Sequence, residues 1–182
     1  QFEFDEKILS IGILGIGHLG MDAAEAFHRL GFKVSGYSNS PKKTIFPSFY
    51  GNQFEDFLAD INVLICTVPL TPKTKGLLNF ELFCKLNYPT YLVNVSRGGV
   101  HIERDILRAI DEGKLTGAFL DVFEKEPLPK DSPLWQNPKI KITPHIASLT
   151  YAKESIRQAL ENFRRIKQGE KLLNEVNRQN MY

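Results

Sequence analysis

The chain has 182 residues, of which 42% are hydrophobic and 24% are charged, and its formal net charge is +2. This composition is that of a globular protein and excludes a disordered or fibrous chain. The small net charge gives no basis for a nucleic-acid partner, and no apolar run approaches the roughly 18 residues of a membrane span. The two cysteines form no disulfide framework and favour a reducing, cytoplasmic setting, with Cys66 predicted to be a buried free thiol.

Short apolar runs alternate with amphipathic segments along most of the chain. The predicted strands are residues 8–14, 33–37, 63–67, 91–95, 117–122 and 140–143. The predicted helices are residues 18–30, 53–59, 79–86, 103–112 and 151–168. Strands that alternate with helices predict a parallel sheet covered by helices on both faces, a three-layer α/β fold. The last helix is followed by a polar tail and by no further strand.

A glycine-rich turn follows the first predicted strand. Gly15, Gly17 and Gly20 have the spacing G-x-G-x-x-G between an apolar strand and an amphipathic helix. In a dinucleotide-binding loop the first glycine permits the tight turn, the second lets the pyrophosphate approach, and the third allows close helix–strand packing. A strand-to-helix turn without a ligand would have the same spacing. The flanking elements favour a Rossmann-type doubly wound sheet that binds a dinucleotide.

The second predicted strand ends in a turn that carries no carboxylate, Ser38-Asn-Ser-Pro-Lys-Lys43. An acidic residue about 20 positions beyond the glycine loop would hold the ribose hydroxyls of NAD. Here Ser38, Asn39 and Ser40 could instead hydrogen-bond a 2′-phosphate, and Lys42 could neutralise it. The turn therefore favours NADP over NAD, although NAD and an ordinary polar turn both stay open.

Three ionisable residues follow three other predicted strands, and they are Arg97, Glu126 and His145. Ligands of open α/β sheets bind outside the carboxyl ends of the strands, so we expect these side chains to meet beside the cofactor. Each has a simpler interpretation: a surface turn for the arginine, a solvated loop charge for the glutamate, and a structural role for the histidine. The cysteines and the other histidines show no spacing typical of a metal site.

Several motifs resemble the D-isomer-specific 2-hydroxyacid dehydrogenase family. They are Gly12–Gly20, Cys66–Asn79, Val93–Gly99, Leu120–Pro129 and Thr143–His145. The segments 132–136 and 177–182 are most similar to the glyoxylate/hydroxypyruvate reductase A branch of that family. The resemblance covers nearly the whole chain.

The resemblance implies a role for each of the strand-end residues. Arg97 would bind the substrate carboxylate, His145 would be the acid/base, and Glu126 would stabilise the protonated histidine. Asp121 would contact the nicotinamide carboxamide. Further cofactor contacts are implied for His18, Leu19, Val68, Pro69, Thr74, Val95 and Ser96. The substrate class would be a small 2-oxo acid such as glyoxylate or hydroxypyruvate, and the full-length protein would be a homodimer.

The resemblance also implies that the N-terminal half of the family, which supplies most of the substrate domain, is absent. We therefore expect a dinucleotide-binding domain over residues 1–149, and over 150–182 a helix and tail that pack on the absent domain. Such a cut domain would bind cofactor yet be weak or inactive alone. A nucleotide-sensing binding module of the corepressor type stays open, as does a reductase of another substrate, such as phosphite, formate or a larger 2-oxo acid.

Overall fold

A computed structural model describes residues 9–148 and 151–176 of the chain. The strands are β1 (Ser10–Leu14), β2 (Lys33–Ser38), β3 (Ser48–Tyr50), β4 (Val63–Cys66), β5 (Thr90–Asn94), β6 (Leu115–Leu120) and β7 (Ile140–Ile142). The helices are α1 (His18–Arg29), α2 (Phe54–Leu58), α3 (Phe80–Cys84), α4 (Glu103–Asp111) and α5 (Ala152–Gln168), with 3-10 turns at Gly98–Val100 and Pro133–Gln136.

The seven strands form one parallel sheet in the order β3-β2-β1-β4-β5-β6-β7. The chain winds outward from β1 in both directions, which is the doubly wound order of a Rossmann fold. The predicted fold class is therefore confirmed. Because every strand runs the same way, the turns that follow the strands all lie along one edge of the sheet.

Two clusters of buried hydrophobic side chains join the sheet to the helices that cover its two faces. On one face α1 packs through Ala24 against Ile11, Ile13 and Ile65. On the other face the buried side chains of α2, α3 and α4 join those of β4, β5 and β6. Neighbouring residues of β4 contribute to opposite clusters, as expected for a strand covered on both faces.

Strand β3 was missed by the sequence analysis. Its three residues, Ser48–Tyr50, follow a loop rich in lysine and proline, and none of them is buried. The strand lies at the edge of the sheet and pairs only with β2 among the described strands. A strand this short has no periodic pattern of apolar residues that could predict it. It forms because the folded chain places these residues beside β2.

The chain divides into two compact units, Gln1–His145 and Ile146–Tyr182. The first contains the whole sheet. The second contains α5, which is followed at its C-terminal end by Gly169 in the left-handed conformation. The segment 177–182, which carries part of the resemblance, lies outside the described residues. No helix in the described part of the chain is long and apolar enough to cross a membrane.

Candidate active site and cofactor cleft

The glycine loop leaves β1 by a turn that requires glycine at its first position. Gly15 has φ +104°, and a Cβ atom there would lie 2.8 Å from the side chain of Val68. The N–H groups of Gly15 and Ile16 both donate to the carbonyl oxygen of Tyr37, at 2.9 and 3.2 Å. The loop is thereby held against the end of β2.

The other two loop glycines have different reasons to be glycine. A Cβ atom on Gly20 would lie 2.1 Å from the carbonyl oxygen of Gly15, so the helix could not approach the loop. A Cβ atom on Gly17 would meet no atom within 4 Å and would point into open space. Gly17 therefore serves something beyond the packing of the chain itself, which is the behaviour expected of the glycine that faces a pyrophosphate.

Helix α1 begins beside that open space. His18 and Leu19 are exposed in its first turn, which contains no acidic residue. The unpaired N–H groups and partial positive charge of a helix N-terminus favour a phosphate there. The loop and the helix thus fit the dinucleotide that the sequence predicts.

The segment after β4 buttresses the glycine loop. The Thr67 hydroxyl donates to the carbonyl oxygen of Gly15 at 2.6 Å, and Val68 lies against the same glycine. The Thr74 hydroxyl donates to the carbonyl oxygen of Pro69 at 2.6 Å and accepts from the N–H of Thr71 at 2.8 Å. These bonds close the turn whose residues the family resemblance assigns to the cofactor.

The turn after β2 presents the groups expected to receive a 2′-phosphate. The Ser38 hydroxyl donates to the carbonyl oxygen of Ser40 at 2.7 Å, which closes the turn on itself. Asn39, Ser40 and Lys42 are exposed. No carboxylate stands in this turn.

At the end of β5 one buried side chain organises the turn that carries Arg97. The Oδ1 atom of Asn94 accepts from the N–H of Ser96 at 3.0 Å and from its hydroxyl at 2.8 Å. The Nδ2 atom lies 2.8 Å from Nδ1 of His101 and 3.4 Å from the carbonyl oxygen of Arg97. Since Oδ1 is used as an acceptor, Nδ2 donates to His101, whose proton therefore resides on Nε2. The half-buried Val95 continues the strand by donating to the Cys66 carbonyl.

The Arg97 turn is pressed against the segment that leads to Glu126. A Cβ atom on Gly98 would lie 1.8 Å from the carbonyl oxygen of Phe123. Close by, the N–H of Glu103 donates to the carboxylate of Glu124 at 3.1 Å, and the N–H of Glu124 donates to that of Glu103 at 3.0 Å. Burial and the charge of Glu124 raise the pKa of Glu103. This reciprocal pairing holds the start of α4 against the segment after β6.

The ends of β6 and β7 are tied together. The buried Asp121 donates its N–H to the Asn94 carbonyl at 3.1 Å and accepts from the Thr143 hydroxyl at 2.5 Å. His145 follows with φ +55°, a left-handed conformation uncommon outside glycine. Its Nδ1 atom lies 2.8 Å from the carboxylate of Glu126.

At this edge of the sheet two of the predicted catalytic residues, Arg97 and His145, act electrostatically on the third, Glu126. Partial desolvation acts to raise the pKa of Glu126. The hydrogen bonds from His145 and from the Phe123 N–H, together with the charges of His145 and Arg97, outweigh it and hold that pKa below its usual value. The carboxylate is therefore ionised at neutral pH.

A cavity of about 550 Å³ opens beside the histidine–glutamate pair. Its other lining residues are mainly apolar and include Phe123, Leu128, Pro144 and the half-exposed Trp135. Trp135 is the one tryptophan of the chain, so its fluorescence reports on the surroundings of His145. In the described part of the chain no group of three metal-ligating side chains could hold a metal ion.

A family model for the D-isomer specific 2-hydroxyacid dehydrogenase, NAD binding domain, matches residues 5–147. The chain belongs to this family. The resemblance stated from the sequence motifs is thereby confirmed.

Known relatives agree in sequence and in structure. The glyoxylate/hydroxypyruvate reductase A of Photorhabdus laumondii is 44% identical over 169 residues, 92% of this chain. The NADPH-dependent glyoxylate/hydroxypyruvate reductase of Sinorhizobium meliloti, solved with NADP and sulfate, superposes on all of this chain with a TM-score of 0.95 at 34% identity. A D-isomer specific 2-hydroxyacid dehydrogenase of Xanthobacter autotrophicus, solved with NADPH and MES, does so with a TM-score of 0.95 at 38% identity.

This chain spans only part of those proteins. It covers 54% of the Photorhabdus reductase, 60% of the Sinorhizobium chain and 77% of the Xanthobacter chain.

Two residues that shape the candidate site, Thr67 and Asn94, were not predicted from the sequence. Thr67 bonds to Gly15, which is 52 residues away in the chain, and Asn94 bonds to Ser96 in the turn after its own strand. No periodic pattern in the sequence predicts either hydrogen bond. A signal was available for Asn94, because an amide inside an otherwise apolar strand is expected to have a buried partner.

Proposed function

We propose that this chain is the cofactor domain of an NADPH-dependent 2-oxo acid reductase that converts glyoxylate or hydroxypyruvate to glycolate or glycerate. The observation that carries the proposal is the His145–Glu126 pair, with Nδ1 and the carboxylate 2.8 Å apart, in the electrostatic field of Arg97. A proton donor and a carboxylate anchor at the strand ends are what the reduction of a 2-oxo acid requires.

Each of the three side chains has a role in the proposed reaction. Bound NADPH would supply hydride to C2 of the substrate. The Arg97 guanidinium holds the substrate carboxylate through its planar fork. Because Nδ1 of His145 faces Glu126, Nε2 is the atom that protonates the developing alkoxide, and the carboxylate stabilises the imidazolium that donates.

The preference for NADPH rests on the turn after β2. Its hydroxyl and amide groups and the exposed Lys42 suit a 2′-phosphate, and the relatives from Sinorhizobium and Xanthobacter were solved with NADP and NADPH. The proposed cofactor contacts are Gly15, Gly17, His18, Leu19, Gly20, Ser38, Asn39, Ser40, Lys42, Val68, Pro69, Thr74, Val95, Ser96 and Asp121.

The rest of the proposal concerns the whole protein. We infer a homodimer that acts in the cytoplasm on small 2-oxo acids and binds no nucleic acid; the family resemblance, the free cysteines and the net charge of +2 support this. The helix and tail after residue 149 would pack on a substrate domain. In support, α5 has no buried residue in this structure, and its Leu160 and Phe163 side chains are 64% and 57% exposed.

Calorimetric titration of the chain with NADPH and with NADH tests the cofactor assignment. We expect NADPH to bind more tightly than NADH, and Trp135 emission to fall on binding through energy transfer to the reduced nicotinamide. Lys42→Gln should weaken NADPH binding and leave NADH binding unchanged, whereas Lys130→Gln, a change of another exposed lysine, should affect neither. Equal affinities for NADH and NADPH would contradict the 2′-phosphate site.

A further inference from the structure

A threonine that the proposed mechanism does not use lies directly behind the glycine loop. Thr67 follows β4, and its hydroxyl donates to the carbonyl oxygen of Gly15 at 2.6 Å, across 52 residues of sequence. Its own N–H donates to the Leu14 carbonyl at 2.9 Å, so its backbone is fixed against the end of β1. The hydroxyl therefore comes from a rigid position.

The bond acts on one particular peptide unit. The carbonyl of Gly15 accepts from Thr67, and the N–H on the other side of the same peptide, that of Ile16, donates to the Tyr37 carbonyl at 3.2 Å. The end of β2 and the residue after β4, the two strands on either side of β1, thus hold the two ends of one peptide plane. This peptide follows Gly15, which has φ +104°. Because glycine has few steric restrictions, the peptide would be free to rotate without these two bonds.

The orientation of this peptide determines where the next N–H groups point. They belong to Gly17 and to the first turn of α1, beside the open space next to Gly17. Donors that are already oriented bind an anion more tightly, because no conformational entropy is lost when the ligand arrives.

We propose that Thr67 is a positioning residue for the cofactor pyrophosphate, acting through the Gly15–Ile16 peptide and not by contact with the cofactor. This inference rests on the proposed function, since it requires a dinucleotide in the cleft. The hydroxyl holds the glycine loop in its binding conformation before the ligand arrives.

Calorimetric titration of the 182-residue chain with NADPH tests the inference. Thr67→Val removes the hydroxyl at nearly constant shape and should weaken NADPH binding roughly three- to tenfold, the range of one lost hydrogen bond. Thr67→Ala should show a similar loss, and Thr67→Ser, which restores the donor, should return the affinity to that of the unchanged chain. Unaltered affinity in Thr67→Val or Thr67→Ala, or no recovery in Thr67→Ser, would overturn the inference.

Thr90→Val provides the matched control. Thr90 is a buried threonine at the start of β5, whereas Thr67 is half-buried, and the Thr90 hydroxyl donates to the carbonyl oxygens of Ile61 and Tyr88, away from the glycine loop. Both valine variants lose a hydroxyl bond and should unfold at lower temperature, but only the change at Thr67 should alter NADPH affinity. An equal loss of affinity in Thr90→Val would overturn the positioning role. Failure of the unchanged chain to bind NADPH would overturn the proposed function, and the inference with it.

Discussion

His101 is 1% exposed, and burial lowers its pKa to about 4. It accepts a hydrogen bond from Asn94, while its Nε2 atom has no partner among the described side chains. The ring is therefore neutral at neutral pH. Asn94 also binds Ser96 and the Arg97 carbonyl. The protonation of His101 is therefore coupled to the conformation of the turn that carries Arg97, the residue proposed to bind the substrate carboxylate.

The stability of the chain should therefore depend on pH through His101. An unfolded histidine titrates near pH 6.5, so between pH 6.5 and about 4 the unfolded state binds a proton that the folded state does not. The contribution to stability is complete above pH 6.5 and is lost as the pH falls toward 4, with a size of up to about 3 kcal/mol. Urea unfolding at several pH values measures it. His101→Gln should make the free energy of unfolding less dependent on pH between 6.5 and about 4. The same pH dependence in this variant as in the unchanged chain would show that His101 does not cause it.

The proposed proton donor makes a second prediction for a single residue. A chimera that joins this chain to the part of the Photorhabdus reductase that it does not cover should oxidise NADPH when glyoxylate is added. His145→Ala should lower kcat by about 100-fold or more and leave the Kd for NADPH unchanged, because the residue acts in proton transfer. His28→Ala, a change of an exposed histidine on α1, is the control. Near-normal turnover in His145→Ala would remove the histidine from the mechanism.

At the scale of the elements, the turn between β1 and α1 contains one glycine that is needed for packing, Gly20, and one that is proposed to be needed for cofactor binding, Gly17. Gly20→Ala places a methyl group against the Gly15 carbonyl and should destabilise the chain by about 2 kcal/mol or more. Gly17→Ala meets no atom of the chain and should change the free energy of unfolding by less than about 0.5 kcal/mol. It should nevertheless weaken NADPH binding, because the methyl group enters the space left for the pyrophosphate. Thermal unfolding and NADPH titration of both variants check this, and a Gly17→Ala variant that binds normally would contradict the placement of the pyrophosphate.

The elements also show how far the sequence determines this fold. Apolar runs such as that of β4 and the amphipathic pattern of α4 predict their elements because burial on both faces, or on one helical face, leaves a periodic record. Strand β3 leaves none. Of the candidate site, Arg97, Glu126 and His145 could be predicted because charged residues after buried strands share one edge of a parallel sheet. The supporting bonds of Thr67 and Asn94 could not, because they depend on how backbone atoms of different segments approach in three dimensions.

At the scale of the whole molecule, the first compact unit contains the sheet, both buried clusters and every proposed cofactor residue. A chain that ends at Ser148 should therefore unfold cooperatively and bind NADPH with the same Kd as the 182-residue chain. Circular dichroism and calorimetric titration test this. A loss of cooperative unfolding in the shortened chain would show that the second unit is needed for the stability of the first.

The parallel sheet has a practical consequence at its opposite edge, where the helices return to the strands. Gly31, between α1 and β2, and Gly113, between α4 and β6, are exposed, have φ of +92° and +70°, and leave space for at least a Cβ atom. Both turns lie a strand's length from the residues proposed for catalysis. A reporter domain or an affinity tag can be inserted in these turns beside the glycines, which must themselves be kept because a side chain is strained at a positive φ, while the chemistry of the other edge is left intact.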